Sequence, residues 1–222
     1  MATKIEVLWK QALKMFSGRN NPNYNLCLKN LEKLKSLIND ITAEDVHVDK
    51  NVFEYIRIQS APMCVIDVFE NEDITIAIFI LKTGVTLPMH DHPEMHGLLK
   101  VINGVVKIDS YTIESPNSTI EINQRIPATR HPSMIIGTTD PACVLTPDKR
   151  NLHEITCIEG PAAFLDILSP PYDTDEYGDG KRPCRYFKCI SNEMTEQVQL
   201  MIADVPSSFY SRTIKYLGKP LR

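Results

Sequence analysis

The 222-residue sequence lacks the features that mark several large classes of protein. It contains no apolar run of about 18 residues, the length that a membrane-spanning helix needs. No signal-peptide pattern follows Met1. The formal net charge of −4 provides no basic footprint for nucleic acid. We therefore expect a cytoplasmic or nuclear protein that binds neither membranes nor nucleic acid.

The chain also lacks the paired cysteines of a disulfide framework or a redox motif. None of its six cysteines belongs to a Cys-x-x-Cys pair. Without a secretory signal, such cysteines are expected to be reduced thiols, most of them small buried side chains. They are Cys27, Cys64, Cys143, Cys157, Cys184 and Cys189.

The apolar pattern changes from helical to strand-like soon after residue 50. Helices are predicted over residues 4–16 and 24–38, the second with a leucine face, and a short helical turn capped by Thr42 follows. We expect residues 1–50 to form a helical segment that packs on one domain formed by residues 51–222.

About eleven short strands separated by turn signals are predicted, a pattern typical of an antiparallel barrel or sandwich. Asn103 and Gly104 stand between two of them and predict a tight hairpin. A helix is predicted over residues 196–202 and a mobile loop over residues 173–182. The predicted strands are residues 55–58, 63–69, 74–81, 97–102, 105–113, 119–126, 133–136, 142–146, 153–158, 162–168 and 186–190.

Two histidines at the end of a predicted strand form a candidate metal site. His90 and His92 are two residues apart, so they project from the same side of a strand. For a bare His-x-His motif, the alternative is two polar histidines on a surface turn. Gly84 stands six residues before His90, and the spacing through Gly104 resembles the first half-motif of the cupin barrel. The resemblance implies an all-β cupin, a double-stranded β-helix or jelly-roll-like barrel, with N-terminal helices.

A third ligand is needed, and His153 is the best candidate among the remaining histidines. It begins a strand-like run after a turn, where the second cupin half-motif supplies its histidine. His47 precedes the barrel, His131 lies in a loop-like stretch, and a Pro93 turn separates His96 from the first pair. The predicted metal ligands are therefore His90, His92 and His153.

A carboxylate ligand is missing from this set. A typical cupin has a glutamate five residues after its second histidine, but the residue at that position is Gly97. Three neutral imidazoles leave iron(II) its full double charge and about three open coordination positions. Such a site favours an anionic, soft ligand such as a thiolate, with room for O2 beside it.

Four stretches resemble the thiol dioxygenase family that contains cysteamine (2-aminoethanethiol) dioxygenase and the plant cysteine oxidases. The run Asp-Ile-Leu-Ser-Pro-Pro-Tyr is far more specific than any His-x-His motif. The stretches are residues 90–100, 151–155, 160–172 and 182–187, with a Tyr-Leu-Gly-Lys-Pro ending at residues 216–220.

The resemblance implies an Fe(II) enzyme that adds both atoms of O2 to a thiol and gives a sulfinic acid. Its substrates would be cysteamine, giving hypotaurine, or the N-terminal cysteine of proteins and peptides. Oxidation of an N-terminal cysteine would make the enzyme an oxygen sensor of the N-degron pathway. We expect a monomer, because no large apolar surface stripe is left unassigned.

The resemblance also implies roles for four further side chains. Asp166, on an apolar strand, would bind a substrate amine or orient water; the alternative is a carboxylate held by backbone amides or an arginine. Tyr172 would donate a hydrogen bond towards oxygen or substrate; the alternative is packing under a loop. Cys184 and Tyr186, two apart on a predicted strand, would form a thioether; the alternative is two neighbouring core side chains.

Two other classes of function stay open. Another metal-dependent cupin enzyme, such as an oxygenase of a carbon substrate, would usually retain the glutamate that Gly97 replaces. A non-catalytic cupin that binds a small molecule would tend to lose metal ligands, whereas all three histidines are present. These considerations favour the thiol dioxygenase.

Overall fold

A computed structural model of the chain describes residues 2–18, 24–114, 123–172, 182–191 and 195–222. Its N-terminal part is helical and the remainder is built of strands. No helix within these residues is both long and apolar enough to cross a membrane. The helical elements are α1 (Lys4–Phe16), α2 (Leu28–Asn39), a 3-10 turn (Glu44–Val46) and α3 (Lys50–Ile58).

Helix α1 begins at a capping box that the sequence encodes locally. The Thr3 hydroxyl accepts from the Glu6 N–H, and the Thr3 N–H donates to the Glu6 carboxylate at 2.8 Å. The apolar face of α1, which includes Leu8 and Phe16, shares a core with residues of the first two strands. The predicted helix is confirmed, and its packing on the strands is set by this apolar face.

Helix α3 shows that the predicted strand over residues 55–58 is wrong. The Asp49 carboxylate accepts hydrogen bonds from the N–H groups of Asn51 and Val52 and so caps a helix there. Val52 and Ile56, four residues apart, are the buried side chains, which is helical periodicity. The 3-10 turn was predicted with a Thr42 cap. Its N-cap position is Ala43, and the Thr42 hydroxyl accepts from the Asp45 N–H at 3.4 Å while the Thr42 N–H donates to the Asp45 carboxylate, so Thr42 caps the turn from one residue earlier.

Eleven strands follow among the described residues and form one sheet that wraps into a barrel. Two of them, β4 and β8, have 18 residues each and pair along almost their whole length. The strands are β1 (Met63–Glu70), β2 (Thr75–Leu81), β3 (Thr86–Asp91), β4 (His96–Ile113), β5 (Ile126–Arg130), β6 (Met134–Gly137), β7 (Cys143–Leu145), β8 (Leu152–Ser169), β9 (Phe187–Cys189), β10 (Gln197–Ile202) and β11 (Ser211–Thr213).

The long strands β4 and β8 run through both faces of the barrel. One half of β8 pairs with β2, and the other half pairs with β3. Strand β4 follows β8 through the same bend, pairing with β7 before it and β6 after it. This is the double-stranded β-helix of the cupin fold, so the expected fold class is confirmed.

The tight hairpin predicted at Asn103 and Gly104 is wrong, because both residues lie within the continuous strand β4. Register shifts flank them, so they form an irregular bend rather than a turn. Gly104 has φ +73°, and a Cβ there would lie 2.3 Å from the Glu159 carbonyl oxygen and 2.9 Å from the Ala162 Cα. Glycine is needed both for this backbone conformation and for the close approach of β8.

The C-terminal region differs from the prediction in one further element. Residues 196–202 were predicted helical, but β10 covers Gln197–Ile202, with Val198 and Leu200 buried in the alternation of a strand. Of the strand predicted over residues 119–126, residues 119–122 lie outside the described residues, and β5 begins at Ile126. The predicted loop at 173–182 also lies outside them, apart from Arg182.

Three buried apolar clusters divide the interior. The first joins the helices to β1 and β2, and the second fills the barrel with side chains such as Leu99, Ile108 and Phe164. The third lies between the outer side of β3 and the C-terminal strands β9 and β10 and contains Met89 and Phe187. The sheet that carries the histidines is therefore covered on both faces.

The two glycines at residues 84 and 104 give a matched test of the bend in β4. Both have positive φ, but a Cβ at Gly84 has no neighbour within 4 Å, whereas one at Gly104 meets the backbone of β8. We expect Gly84→Ala to lower the free energy of unfolding by about 1 to 2 kcal/mol. Gly104→Ala should lower the free energy of unfolding by about 1 to 3 kcal/mol more than Gly84→Ala, because its new methyl group would also clash with the backbone of β8. Urea denaturation of the two variants measures this, and equal losses would contradict the close approach.

Candidate metal centre

A β-bulge in β3 aims the first histidine into the barrel. Leu87 pairs with Ile155 and His90 pairs with His153, so the register shifts by one residue between them. Pro88 lies in this bulge, where its missing N–H breaks no ladder hydrogen bond. Because of the extra residue, Leu87 and His90 point to the same side, towards the barrel interior.

The structure brings the three predicted ligands together. The candidate ligand atoms of His90, His92 and His153 all lie within 4.8 Å of one another, and all three side chains are buried. The Nε2 atoms of His92 and His153 are 3.2 Å apart. The ring centroids lie 4.8 to 4.9 Å apart in all three pairs. The end of the short strand β3 and the start of the long strand β8 therefore bring the three rings together.

Two of the imidazoles are held in a tautomer that leaves Nε2 free to bind a metal. His90 Nδ1 lies 2.8 Å from the Pro88 carbonyl, which can only accept, so Nδ1 carries the proton. Tyr172 donates to the Asp91 carbonyl at 2.6 Å, and its oxygen lies 2.9 Å from His92 Nδ1. The tyrosine oxygen thus accepts from His92 Nδ1–H. Such bonds fix the ring orientation of metal-binding histidines.

Burial keeps the three imidazoles neutral. Desolvation lowers the pKa of His90 from 6.5 to about 4, against a small opposing effect of the Pro88 carbonyl. The pKa values of His92 and His153 fall well below 6.5, again chiefly through burial and then through the neighbouring histidines. The site therefore presents three neutral nitrogen donors at neutral pH, the form that a metal ion requires.

The donor set fits a divalent transition metal ion. Imidazole nitrogen lies about 2.1 Å from a bound ion such as zinc, so two ligands at a right angle are about 3 Å apart. The 3.2 Å between His92 Nε2 and His153 Nε2 agrees with that separation. Imidazole suits zinc, copper, iron and nickel, so the ligands alone do not choose among these metals.

The other three histidines lie away from this cluster. The His47 ring packs edge-on against Tyr216, with centroids 6.1 Å apart. The His96 ring lies 6.2 Å from that of Phe16, on the side of the N-terminal helix. His131 Nε2 is hydrogen-bonded to the Thr112 hydroxyl at 2.7 Å. The choice of His153 as third ligand therefore agrees with the geometry.

A family of known proteins shares this sequence pattern. The PCO_ADO family model matches residues 37–217. The chain belongs to the PCO_ADO family. It is 33% identical over 198 residues to the 2-aminoethanethiol dioxygenase of Homo sapiens, covering 80% of this chain and 72% of that protein. It is 27% identical over 163 residues to plant cysteine oxidase 2 of Arabidopsis thaliana, covering 72% of this chain and 57% of that protein.

Among solved structures, a cupin superfamily protein from Desulfitobacterium hafniense DCB-2 matches with a TM-score of 0.36 and 10% identity. That match covers 54% of this chain and 86% of that one. The resemblance to thiol dioxygenases inferred from the four sequence stretches is confirmed by the family match and the curated relatives.

In this PCO_ADO protein, Gly97 cannot be exchanged for the usual cupin glutamate without moving its neighbours. Gly97 pairs with Leu145 on one side and Leu168 on the other. A Cβ at Gly97 would lie 2.8 Å from Leu145 Cγ and 3.0 Å from Leu168 Cδ2. The leucines occupy the space into which a carboxylate ligand would extend. The packing around Gly97 therefore leaves the three histidines without a carboxylate ligand at this position.

Tyr172 supports the metal centre from behind His92. Its hydroxyl contacts the Asp91 carbonyl and His92 Nδ1, and the Cys184 thiol is near enough to raise its pKa. Burial, followed by the neighbouring Cys184, raises the pKa of Tyr172 well above 10. The phenol therefore stays protonated and orients the His92 ring. Its predicted role as a donor towards oxygen or substrate stays a prediction.

Cys184 and Tyr186, whose spacing predicted side chains that face the same way, lie close enough to interact electrostatically. The Cys184 thiol lies beside the hydroxyls of both Tyr172 and Tyr186, each of which affects its pKa. The Tyr186 ring centroid lies 6.2 Å from that of His90. Burial raises the pKa of Cys184 to about 11 and that of Tyr186 to about 12. Formation of a thioether between them stays a prediction.

Asp166 lies on β8 inside the barrel, opposite Leu99 of β4. Burial raises the pKa of its carboxyl from 3.8 to about 7, and the backbone N–H of Ile167 opposes this only in part. Of the alternative partners, backbone amides or an arginine, the backbone N–H of Ile167 bonds this carboxylate, whereas no ion pair joins it to a basic side chain among the described residues. Asp166 and His153 line the same small cavity of about 20 Å³, which is room for one water molecule.

Three residues near the centre were missed by sequence reasoning. Ser110 pairs with His153 across the β4–β8 ladder, and its buried hydroxyl has no hydrogen-bond partner in the described part of the chain. Asp91 and Arg185 form an ion pair with Nη2···Oδ2 at 2.6 Å. Strand parity could have identified Asp91 and Arg185 as residues that face away from the centre, because each stands between two residues that point into the barrel.

The depressed histidine pKa values predict that the metal-free protein loses stability in acid. In the unfolded chain the three imidazoles bind protons below pH 6.5, whereas folding lowers the pKa of His90 to about 4 and the pKa values of His92 and His153 well below 6.5. The unfolded state therefore binds more protons in this window. Each histidine should reduce the free energy of unfolding by up to about 1.4 kcal/mol per pH unit.

Urea denaturation of chelator-treated protein at pH 7 and pH 5 measures this loss of stability. The matched variant is His153→Gln, which removes one titrating ring and should make the pH-dependent loss smaller, while protonation of Asp166 in the folded state opposes part of that loss in both proteins. The variant His47→Gln changes an exposed histidine and should leave the loss as in the wild type. An equal loss in the His153 and His47 variants would contradict the neutral buried state.

The packing around Gly97 predicts a non-additive pair of mutations. Gly97→Ala should lower the free energy of unfolding by about 1 to 3 kcal/mol through overpacking against Leu145. Leu145→Ala should also destabilise, but the double variant should lose less than the sum, because the shortened residue 145 makes room for the new methyl group. Losses that add within about 0.5 kcal/mol in chemical denaturation would contradict this contact.

Proposed function

We propose that the chain is a non-haem iron(II) thiol dioxygenase. The observation that carries the proposal is a cluster of three neutral histidines whose position for a carboxylate ligand is occupied by Gly97 and its leucine neighbours. Membership of the PCO_ADO family supports the same conclusion. Without a carboxylate, a divalent ion keeps its full positive charge, and this favours an anionic thiolate as the substrate ligand.

The proposed reaction is R–SH plus O2 giving R–SO2H. Two sulfur–oxygen bonds form, the O–O bond breaks, and sulfur supplies the four electrons that reduce both oxygen atoms. No external reductant is needed. Bound iron(II) supplies the redox chemistry and favours the deprotonated thiol.

The protein's own residues prepare this reaction by holding rings and protons in place. Pro88 and Tyr172 keep His90 and His92 with Nε2 towards the centre. Asp166, with a pKa of about 7, is present in both protonation states near neutral pH. It can therefore accept the proton released by a thiol or carry the charge that pairs with a substrate amine.

The proposed substrates are cysteamine and the N-terminal cysteine of proteins or peptides. The relatives are named for 2-aminoethanethiol and for cysteine. Cysteamine and an N-terminal cysteine share a thiol and an amine two carbons apart, which suits a site with one metal ion and one buried carboxylate. With a protein substrate the enzyme would act as an oxygen sensor through the N-degron pathway. We propose a monomer of the cytoplasm or nucleus.

The test is a mass measurement on the products. Protein loaded anaerobically with iron(II) receives O2 together with either cysteamine or a short peptide that begins with cysteine. We expect the thiol product to gain two oxygen atoms, and the ratio of the two rates indicates whether the target is a metabolite or a protein. His153→Ala should lose both iron and turnover, because two imidazoles remain, whereas His47→Asn, outside the cluster, should keep both.

Three outcomes would contradict the proposal. If His153→Ala retained oxygen uptake, the ligand assignment would be wrong. If the wild-type protein bound iron but added no oxygen to either thiol, a cupin oxygenase of a carbon substrate would be the better interpretation. Protein that binds no stoichiometric metal would instead indicate a small-molecule-binding cupin.

A further inference from the structure

Two charged residues lie directly behind the reactive face of the metal centre. Asp91 stands between His90 and His92, and Arg185 stands between Cys184 and Tyr186. Successive side chains of an extended chain point to opposite faces. When the histidines and the Cys184–Tyr186 pair face the centre, Asp91 and Arg185 both face away from it, on the same outer side.

These two residues bind each other through four contacts. The Arg185 guanidinium reaches Asp91 Oδ2 with Nε at 2.8 Å and Nη2 at 2.6 Å. The Arg185 backbone N–H donates to Asp91 Oδ1 at 2.9 Å. The Asp91 N–H donates to the Arg185 carbonyl at 3.0 Å. Only 3% of the Asp91 side chain is exposed, so this carboxylate is nearly withdrawn from solvent.

The backbone of residues 184–186 has little regular pairing of its own. Strand β9 begins only at Phe187, and a single isolated bridge joins Tyr186 to His90. Asp91 is the residue after His90, and Arg185 is the residue before Tyr186. The Asp91–Arg185 contacts therefore lie one residue away from that bridge in both segments. They therefore fix the distance and register between the segment that carries Cys184 and Tyr186 and the strand that carries His90.

We propose that the buried Asp91 carboxylate and the partly exposed Arg185 form a clamp that positions Cys184 and Tyr186 over the three-histidine centre. Neither clamp residue faces the reacting atoms, so both are positioning residues. The clamp acts through the side chains on either side of Arg185, above all Tyr186, whose ring lies beside that of His90.

The geometry requires arginine rather than any positive charge. The planar guanidinium binds Asp91 Oδ2 with two nitrogens, while the backbone N–H occupies Oδ1. A lysine ammonium is a single point charge and cannot reproduce this fork. The guanidinium carbon also lies 6.0 Å from the centroid of the Phe187 ring, which limits its movement on the other side.

The first test measures the clamp without substrate. Hydrogen exchange of the backbone amides of residues 184–187 is compared in the wild type, Arg185→Met and Arg185→Lys. We expect faster exchange in both variants, more in the methionine variant, with unchanged exchange in β4 and β8. Arg57→Met is the matched control, because it removes an exposed arginine–carboxylate pair on α3 far from the centre. Unchanged exchange at residues 184–187 in Arg185→Met would overturn the clamp.

The second test rests on the proposed function and measures thiol oxidation by iron-loaded protein. Displacement of a positioned group by about 1 Å can cost about 100-fold in rate. We therefore expect kcat/KM to fall about 10- to 100-fold in Arg185→Met with the iron content retained. Arg185→Lys should recover part of this loss, and Arg57→Met should stay within about twofold of the wild type.

A double variant separates positioning from a general structural role. If Arg185 acts through Tyr186, Arg185→Met should add less than about threefold to the loss already caused by Tyr186→Phe. If the two residues had independent roles, the two losses would multiply, and this result would overturn the proposal. Wild-type exchange and activity in Arg185→Lys would also overturn it, because the two-nitrogen contact of the guanidinium with Asp91 would then be unnecessary. A wild-type enzyme that oxidises no thiol contradicts the proposed function instead, and the exchange measurement still tests the clamp.

Discussion

The register between β3 and β8 is the constraint on which the rest of the site depends. It places His90 directly opposite His153, and the bulge at Pro88 gives His90 the inward face. A slip of one residue would turn the whole set of side chains to the other side of the sheet. Packed clusters on both faces prevent such a slip, because Leu87 and Ile155 inside and Met89 and Phe187 outside each have a fixed place.

The metal centre is arranged at a cost to the stability of the metal-free protein. Three basic side chains and one carboxylate, Asp166, are buried where water cannot solvate their charged forms. A ligand that binds only the folded state offsets this cost, since its binding free energy adds to folding. The contacts from the Pro88 carbonyl and the Tyr172 hydroxyl agree with a bound ligand at this point. They occupy Nδ1 of His90 and His92 and leave Nε2 of both rings free.

Local signals in the sequence predicted the parts of the molecule that local chemistry determines. The first helix, the His-x-His parity and the missing glutamate at Gly97 all depend on residues close together in the chain. The hairpin at Asn103 and Gly104 was wrong because the long strand β8 packs against that bend and tertiary pairing overrides the turn preference. The strand predicted over residues 55–58 failed because the Asp49 cap was overlooked. Asp91 and Arg185 are distant in sequence, so their contact follows only from the fold.

Four side chains from four separate segments, Ser110, His153, His90 and Tyr186, stand in one transverse row through successive pairings. No two of them are neighbours in sequence, so the row exists only when every intervening loop has closed. Contacts of such long sequence separation form late and slowly during folding, because chain entropy must be lost before they are gained. The three candidate donors, by contrast, need only the β3–β8 pairing to come together. A metal ion held by them would therefore report that pairing, and its release in a denaturation experiment would mark the loss of the β3–β8 register.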